Sequence, residues 1–147
     1  MTPAHVAVVS IGAPGDSGLL TVAAVDAARR ALRAAEEDDD VKAVVLRPAA
    51  TDLCRGFDLD DAAELYRDPS GKPPAKHASL RARLAAHDRT FWGEDGLFAR
   101  VARMRKVTVA AAGGRCYGPG LYLALASDLV IAGESSRFGC PLSLIHI

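Results

Sequence analysis

Lys106 to Pro141 reads KVTVAAAGGRCYGPGLYLALASDLVIAGESSRFGCP. Val107 to Ala112 is a short apolar run, which reads as a buried strand. Gly113 to Gly120, GGRCYGPG, is turn-forming. Leu121 to Ala126 reads as a helix that opens directly after Gly120, and Leu129 to Ala132 as the next strand. Arg137 to Cys140 starts one more. A strand, a glycine turn, a helix and another strand make the unit from which parallel α/β sheets are built.

The same order appears near the N-terminus. Val6 to Ile11 is a β-branched run that ends at Gly12, and Gly12 to Gly18 is a loop by its glycine and proline content. From Thr21, a plausible N-cap, Val22, Val25, Ala28, Leu32 and Ala35 recur at steps of three and four. Arg29, Arg30 and Arg33 occupy the other side, so the segment is an amphipathic helix. The acidic run Glu36 to Asp40 ends it, because acids are unfavourable at a helix C-terminus, and it reads as a solvated turn. Val41 to Leu46 is the second apolar strand, closed by Pro48. The resulting βαβ unit places both strands parallel in one sheet.

Between these two blocks the text is less regular. Leu59 to Tyr66 looks helical, and Asp68 to Pro74, DPSGKPP, is a surface loop. Leu80, Leu84, His87 and Phe91 share one helical face within Ser79 to Phe91. Leu97, Val101 and Met104 share another, after Gly93. Core packing explains both faces. No internal repeat stands out in the letters.

The chain has 147 residues, half of them hydrophobic, with 18 basic and 18 acidic side chains and no formal net charge. That fits a single globular domain over residues 1–147 and gives no general attraction for a polyanion, so nucleic acid is not an expected partner. Cys54, Cys116 and Cys140 are scattered and form no CxxC pair. They read as reduced thiols of a cytoplasmic protein. His5, His77, His87 and His146 supply no zinc-ligand spacing, so no metal is expected. The opening MTPAHVAVVS lacks a signal-peptide pattern, and no apolar run has the length of a membrane span.

Two junctions carry the chemistry. Cys54-Arg55-Gly56-Phe57-Asp58 follows the second strand, and Tyr117-Gly118-Pro119-Gly120-Leu121 follows the third. Loops of this kind aim backbone N–H groups and a helix N-terminus at one spot, which favours an anion or a developing oxyanion. If the strands are neighbours, both junctions face the same end of the sheet. The plainer alternative is that the glycines only permit tight turns. There is no GxGxxG after the first strand and no GxxxxGK[ST], so no dinucleotide or nucleoside triphosphate site is expected.

At these junctions the sequence resembles the enoyl-CoA hydratase/isomerase (crotonase) superfamily. VKAVVLRPAATDLCRGFDLDDAAEL, Val41 to Leu65, is similar to that family's strand followed by F-C-A-G-A-D-L-x-E. Lys106 to Pro141 is similar to its K-P-V-I-A-A-V-x-G-x-A-x-G-G-G-x-E-L-A-L-A-C-D segment and the F-G-x-P that follows. The resemblance implies an α/β spiral of repeated ββα units, the ClpP/crotonase fold, cut before the C-terminal trimerisation helices. It implies an acyl-CoA thioester as substrate, with no separate cofactor, and a trimer or dimer of trimers for a full-length chain.

It also implies roles for residues. Two backbone N–H groups of the family bind the thioester oxygen and stabilise its enolate. The first falls on Phe57, preceding Asp58, with Arg55 beside it for phosphate contact; Arg47, Lys72 and Lys76 are nearby in sequence. The second falls on Pro119, between Gly118 and Gly120, and proline has no N–H. The N–H of Gly120 substitutes only in a rebuilt turn. The family's first catalytic glutamate falls on Tyr122 and its second on Leu142. Tyr122 can donate a proton and Leu142 cannot, so a hydratase mechanism does not carry over. Asp58, Asp61, Glu64, Glu94 and Asp95 are the carboxylates near the expected mouth, with solvated surface roles as the simpler reading.

The ending SLIHI reads as an apolar stub, which suggests a fragment or a shifted reading frame. Two alternatives stay open: a non-catalytic acyl-CoA-binding or oligomerising relative, and a serine peptidase of the related Clp type. The second needs a serine on the turn where this chain has Gly118-Pro119-Gly120.

Overall fold

The computed structural model describes residues 5–12, 15, 18–58, 60–61 and 88–140. The expected loop at 68–74, most of the expected helix at 59–66, residues 79–87 of the next helix, Glu64, Lys72, Lys76, Leu142 and the SLIHI ending lie outside them. The elements are β1 (Val6–Ile11), β2 (Leu19–Leu20), α1 (Val22–Glu37), β3 (Ala43–Pro48), β4 (Gly56–Phe57), a π-helical turn (Asp88–Trp92), α2 (Leu97–Ala102), β5 (Val107–Ala112), β6 (Arg115–Tyr117), α3 (Pro119–Ala126), β7 (Leu129–Ala132) and β8 (Arg137–Gly139).

This order is a repeat. A long strand, a short strand and a helix recur along the chain, and β7 and β8 open the next round. The long strands form one sheet in the order β1-β3-β5-β7, and the short ones pair as β2-β4 and β6-β8. Every pairing is parallel: Val8 lies opposite Val45, Val45 opposite Val109, and Val109 opposite Leu129. The repeat escaped the sequence reading because β2 and β4 are only two residues long and β6 only three.

Local chemistry explains the elements. The Thr21 hydroxyl accepts the Ala24 N–H at 3.1 Å and caps α1, while the Asp61 carboxylate accepts the N–H of Val22. Val25, Ala28, Leu32 and Ala35 are the buried stripe of α1. That stripe matches the expected face, with Val22 left partly exposed. The helix stops at Glu37, inside the acidic run. The run is more than a solvated turn, because the Glu36 carboxylate pairs with Arg100 of α2 at 3.4 Å and with Arg105 at 3.8 Å. The core joins this stripe to Val9 and Ile11 of β1, Val44 and Leu46 of β3, and Leu97, Phe98 and Val101 of α2. For the expected elements that lie wholly among the described residues, strand and helix bounds hold within two residues. α3 begins at Pro119, where proline suits the first helical position because its missing N–H would have no intrahelical partner.

Candidate functional site

The two junctions meet. Leu53 donates its N–H to the Gly113 carbonyl at 3.0 Å, and Cys54 donates to Arg115 at 3.2 Å. Tyr117 donates back to the Cys54 carbonyl at 2.8 Å. Cys54 and Cys116 thus form a parallel bridge between the two loops. Asp52 adds a side-chain clamp. Its carboxylate accepts the Arg115 N–H at 2.7 Å and Nε at 3.1 Å, and lies 2.9 Å from the far guanidinium nitrogen. Burial pushes the Asp52 carboxyl up, but the Arg115 bonds and charge, with Arg55, outweigh it and hold it below its usual range.

Glycine makes this approach possible. A Cβ on Gly114, whose φ is +55°, would lie 2.3 Å from Asp52 Oδ1. A Cβ on Gly120 would lie 2.8 Å from the Cys54 carbonyl oxygen. Neither gap admits a side chain, so the close packing of one loop on the other requires glycine at both positions.

At the first junction, Arg55 donates its N–H to Gly18 at 2.7 Å and Asp58 donates to Leu20 at 3.1 Å. Phe57 lies between them, opposite Leu20 in the β2–β4 pair. Its ring meets Phe91 edge-on at 4.7 Å. The Asp58 carboxylate accepts the N–H groups of Asp60 and Asp61, both at 3.1 Å. Asp58 therefore caps the chain that follows, Asp61 caps α1, and Asp95 pairs with Arg100 at 2.7 Å. Simple solvation was the expectation for these carboxylates; three of them have defined structural partners instead.

The second junction disposes of its amides in an unusual way. Gly118, at φ +49°, gives its N–H to the Gly139 carbonyl of β8 at 3.0 Å. Pro119 has none to give. Backbone hydrogen bonding from Gly120 acts on the Cys54 thiol in the sense that favours the thiolate. Burial dominates all the same, and pushes Cys54 up to about 11 against the backbone bonds of Gly56, Gly120 and Leu20. Cys54 also donates to the Gly56 carbonyl at 3.2 Å. The sequence placed Cys54 in the first junction and read it as a reduced thiol; its packing against Gly120 at the start of α3 has no signature in the spacing.

Tyr122 sits one turn into α3. Its hydroxyl lies 3.5 Å from Cys140 Sγ, and its ring contacts Trp92 at 5.2 Å and Phe98 at 5.5 Å. The Cys140 hydrogen bond first, then burial and the Cys140 charge, push the phenol above its usual value. It therefore keeps its proton at neutral pH. A groove of about 410 Å³ opens beside it, lined by Trp92, Phe98, Ala102, Arg103, Tyr122 and Leu125 among others. No group of three metal-ligating side chains occurs among the described residues, and no helix there is long and apolar enough to cross a membrane.

A family profile described as enoyl-CoA hydratase/isomerase matches residues 1–147. A probable enoyl-CoA hydratase of Mycobacterium tuberculosis is 33% identical over 134 residues, covering 91% of this chain and 46% of the relative. The 1,2-epoxyphenylacetyl-CoA isomerase of Escherichia coli is 32% identical over 116 residues, covering 79% of this chain and 39% of the relative. The crystal structure of an enoyl-CoA hydratase/isomerase from Marinobacter aquaeolei superposes with a TM-score of 0.76 at 24% identity, over all of this chain (100%) and 52% of that one. The chain thus spans less than half the length of these curated relatives and about half of the solved fold. With its ββα order, parallel sheets and full-length profile match, the chain belongs to the enoyl-CoA hydratase/isomerase family.

Proposed function

We propose that this chain binds an acyl-CoA thioester, with the thioester carbonyl held where the two junctions converge and its enolate stabilised there by backbone donors. The observation that carries the reading is the stitching of Cys54 to Arg115 and Tyr117, which brings the Phe57 and Gly120 neighbourhoods together. Phe57 is the donor at the first junction. Arg55, exposed beside it, suits the phosphates of the coenzyme. Asp58 holds the loop by its capping bonds. Tyr122, a protonated phenol in the acid/base position, suits proton donation to the substrate.

Hydration is a poor fit for this arrangement. It requires an acid/base pair that positions water, and Tyr122 offers one member of it. The second junction is also short of a donor, since proline occupies the middle position and the Gly118 amide is given to Gly139. Removal of one oxyanion donor typically lowers rate by about a hundred- to a thousandfold. That observation favours a second reading, a non-catalytic acyl-CoA-binding relative. Isothermal titration with CoA and butyryl-CoA, beside a hydration assay on crotonyl-CoA, separates the readings. Binding with α-proton exchange but little hydration supports the first; binding with neither reaction supports the second. Failure to bind either ligand overturns both.

A further inference from the structure

The apolar groove beside Tyr122 has no use assigned so far. Tyr122, Leu125 and Ala126 are spaced three and four apart, so they share one face of α3. Ala99 and Ala102 of α2 lie across from them, and their small side chains leave the groove open. Trp92 and Phe98 supply aromatic walls. Its volume of about 410 Å³ falls within the range of small-molecule sites, roughly 300–1,000 Å³.

The groove adjoins the candidate site at Tyr122. Tyr122 belongs to both. Its hydroxyl is held by Cys140, next to the Gly139 carbonyl that takes the Gly118 N–H. A chain of ring contacts also links the two junctions: Phe57 to Phe91 at 4.7 Å, Phe91 to Phe98 at 6.0 Å, and Phe98 to Tyr122 at 5.5 Å. Trp92 closes on Phe98 at 4.9 Å and on Tyr122 at 5.2 Å.

We infer that this groove seats the acyl part of the thioester and selects a flat aryl-bearing acyl group over an aliphatic one of equal size. This rests on the acyl-CoA reading above and adds the substrate class. The three wall rings stand at 53°, 59° and 77° to one another, so they offer faces and edges together. An aryl ring matches edges to faces by its quadrupole; a saturated chain gains only buried area. Among the described residues Arg103 is the one charged side chain in the lining, and it is exposed, so these residues offer no buried counter-charge for an ionised acyl group.

The test uses the whole chain. Trp92 is its only tryptophan and is 46% exposed, so its fluorescence reports entry into the groove. CoA, phenylacetyl-CoA and cyclohexylacetyl-CoA are titrated by fluorescence and calorimetry. The expected result is a Trp92 change with both thioesters and not with CoA, and a preference of about 2- to 10-fold for the phenyl group. Ala102→Phe, at an exposed position, fills the groove and is expected to remove the preference while CoA binding persists. Equal or tighter binding of the cyclohexyl thioester overturns the aryl selection and leaves the acyl-CoA reading standing. Thioester binding that ignores Ala102→Phe, or a change only in self-association, shows a polypeptide contact face and overturns the proposal. Failure of all three ligands to bind removes the acyl-CoA reading and this one with it.

Discussion

Single residues set the character of the second junction. Pro119→Gly returns an N–H to the middle of the turn. If an enolate forms there, exchange of the α-protons of bound butyryl-CoA in heavy water, followed by NMR, is expected to rise on the order of a hundred- to a thousandfold. No change would place the reacting carbonyl elsewhere. Cys54 is buried, with its thiol pushed up to about 11. Cys116 is buried and raised as well, by burial first and by the Asp52 charge. Alkylation at pH 8 is therefore expected at Cys140 alone in the native protein and at all three thiols after unfolding, as read by mass spectrometry. Gly114→Ala combines a positive φ with a clash on Asp52 and is expected to cost about 1–3 kcal/mol, read by denaturant unfolding. Both junctions were legible in the sequence as glycine-containing turns. The direction of the Gly118 amide was not, because it depends on Gly139, which lies beyond α3 and β7 in the chain.

At the scale of elements, β5 and β7 are joined by more than their ladder. Asp128, just before β7, accepts the Thr108 N–H at 2.8 Å and its hydroxyl at 2.9 Å, and donates its own N–H back at 3.0 Å. The Thr108 backbone and hydroxyl bonds hold the Asp128 carboxyl below its usual range. A carboxylate lowered in the folded state contributes stability above its unfolded pKa of about 3.9. That contribution is lost as pH falls through the lower folded value. Asp128→Asn is therefore expected to flatten the decline in stability below about pH 4, measured by urea unfolding across pH 2–6. Asp52 contributes in the same sense, so part of the decline remains. In α1, Leu32 is fully buried on the stripe that the three-four spacing predicted. Leu32→Ala is expected to cost about 2–5 kcal/mol. The long elements were readable because their apolar spacing is set by burial. The short strands were not, since two or three residues carry no period.

At the scale of the molecule, the sheet formed by the described residues ends at β7, an edge unlike its interior. All four residues of β7 are exposed, with Ile131 at 67% and Leu129 at 57%, and Leu125 of α3 stands at 73%. An unpaired apolar edge promotes pairing with another chain. Concentration-dependent association of this chain is therefore expected in sedimentation velocity, with Ile131→Lys reducing it. The spiral architecture followed from the resemblance of its motifs, and its repeat became plain only when strands too short to read were seen to pair. The parallel order also fixes when the site can exist. Asp52 waits 63 residues for Arg115. On a ribosome adding roughly 5–20 residues each second, that interval is about 3–13 seconds. Until then Leu53 and Cys54 lack the Gly113 and Arg115 carbonyls that their amides meet in the finished fold, and stay open to wrong partners for that interval.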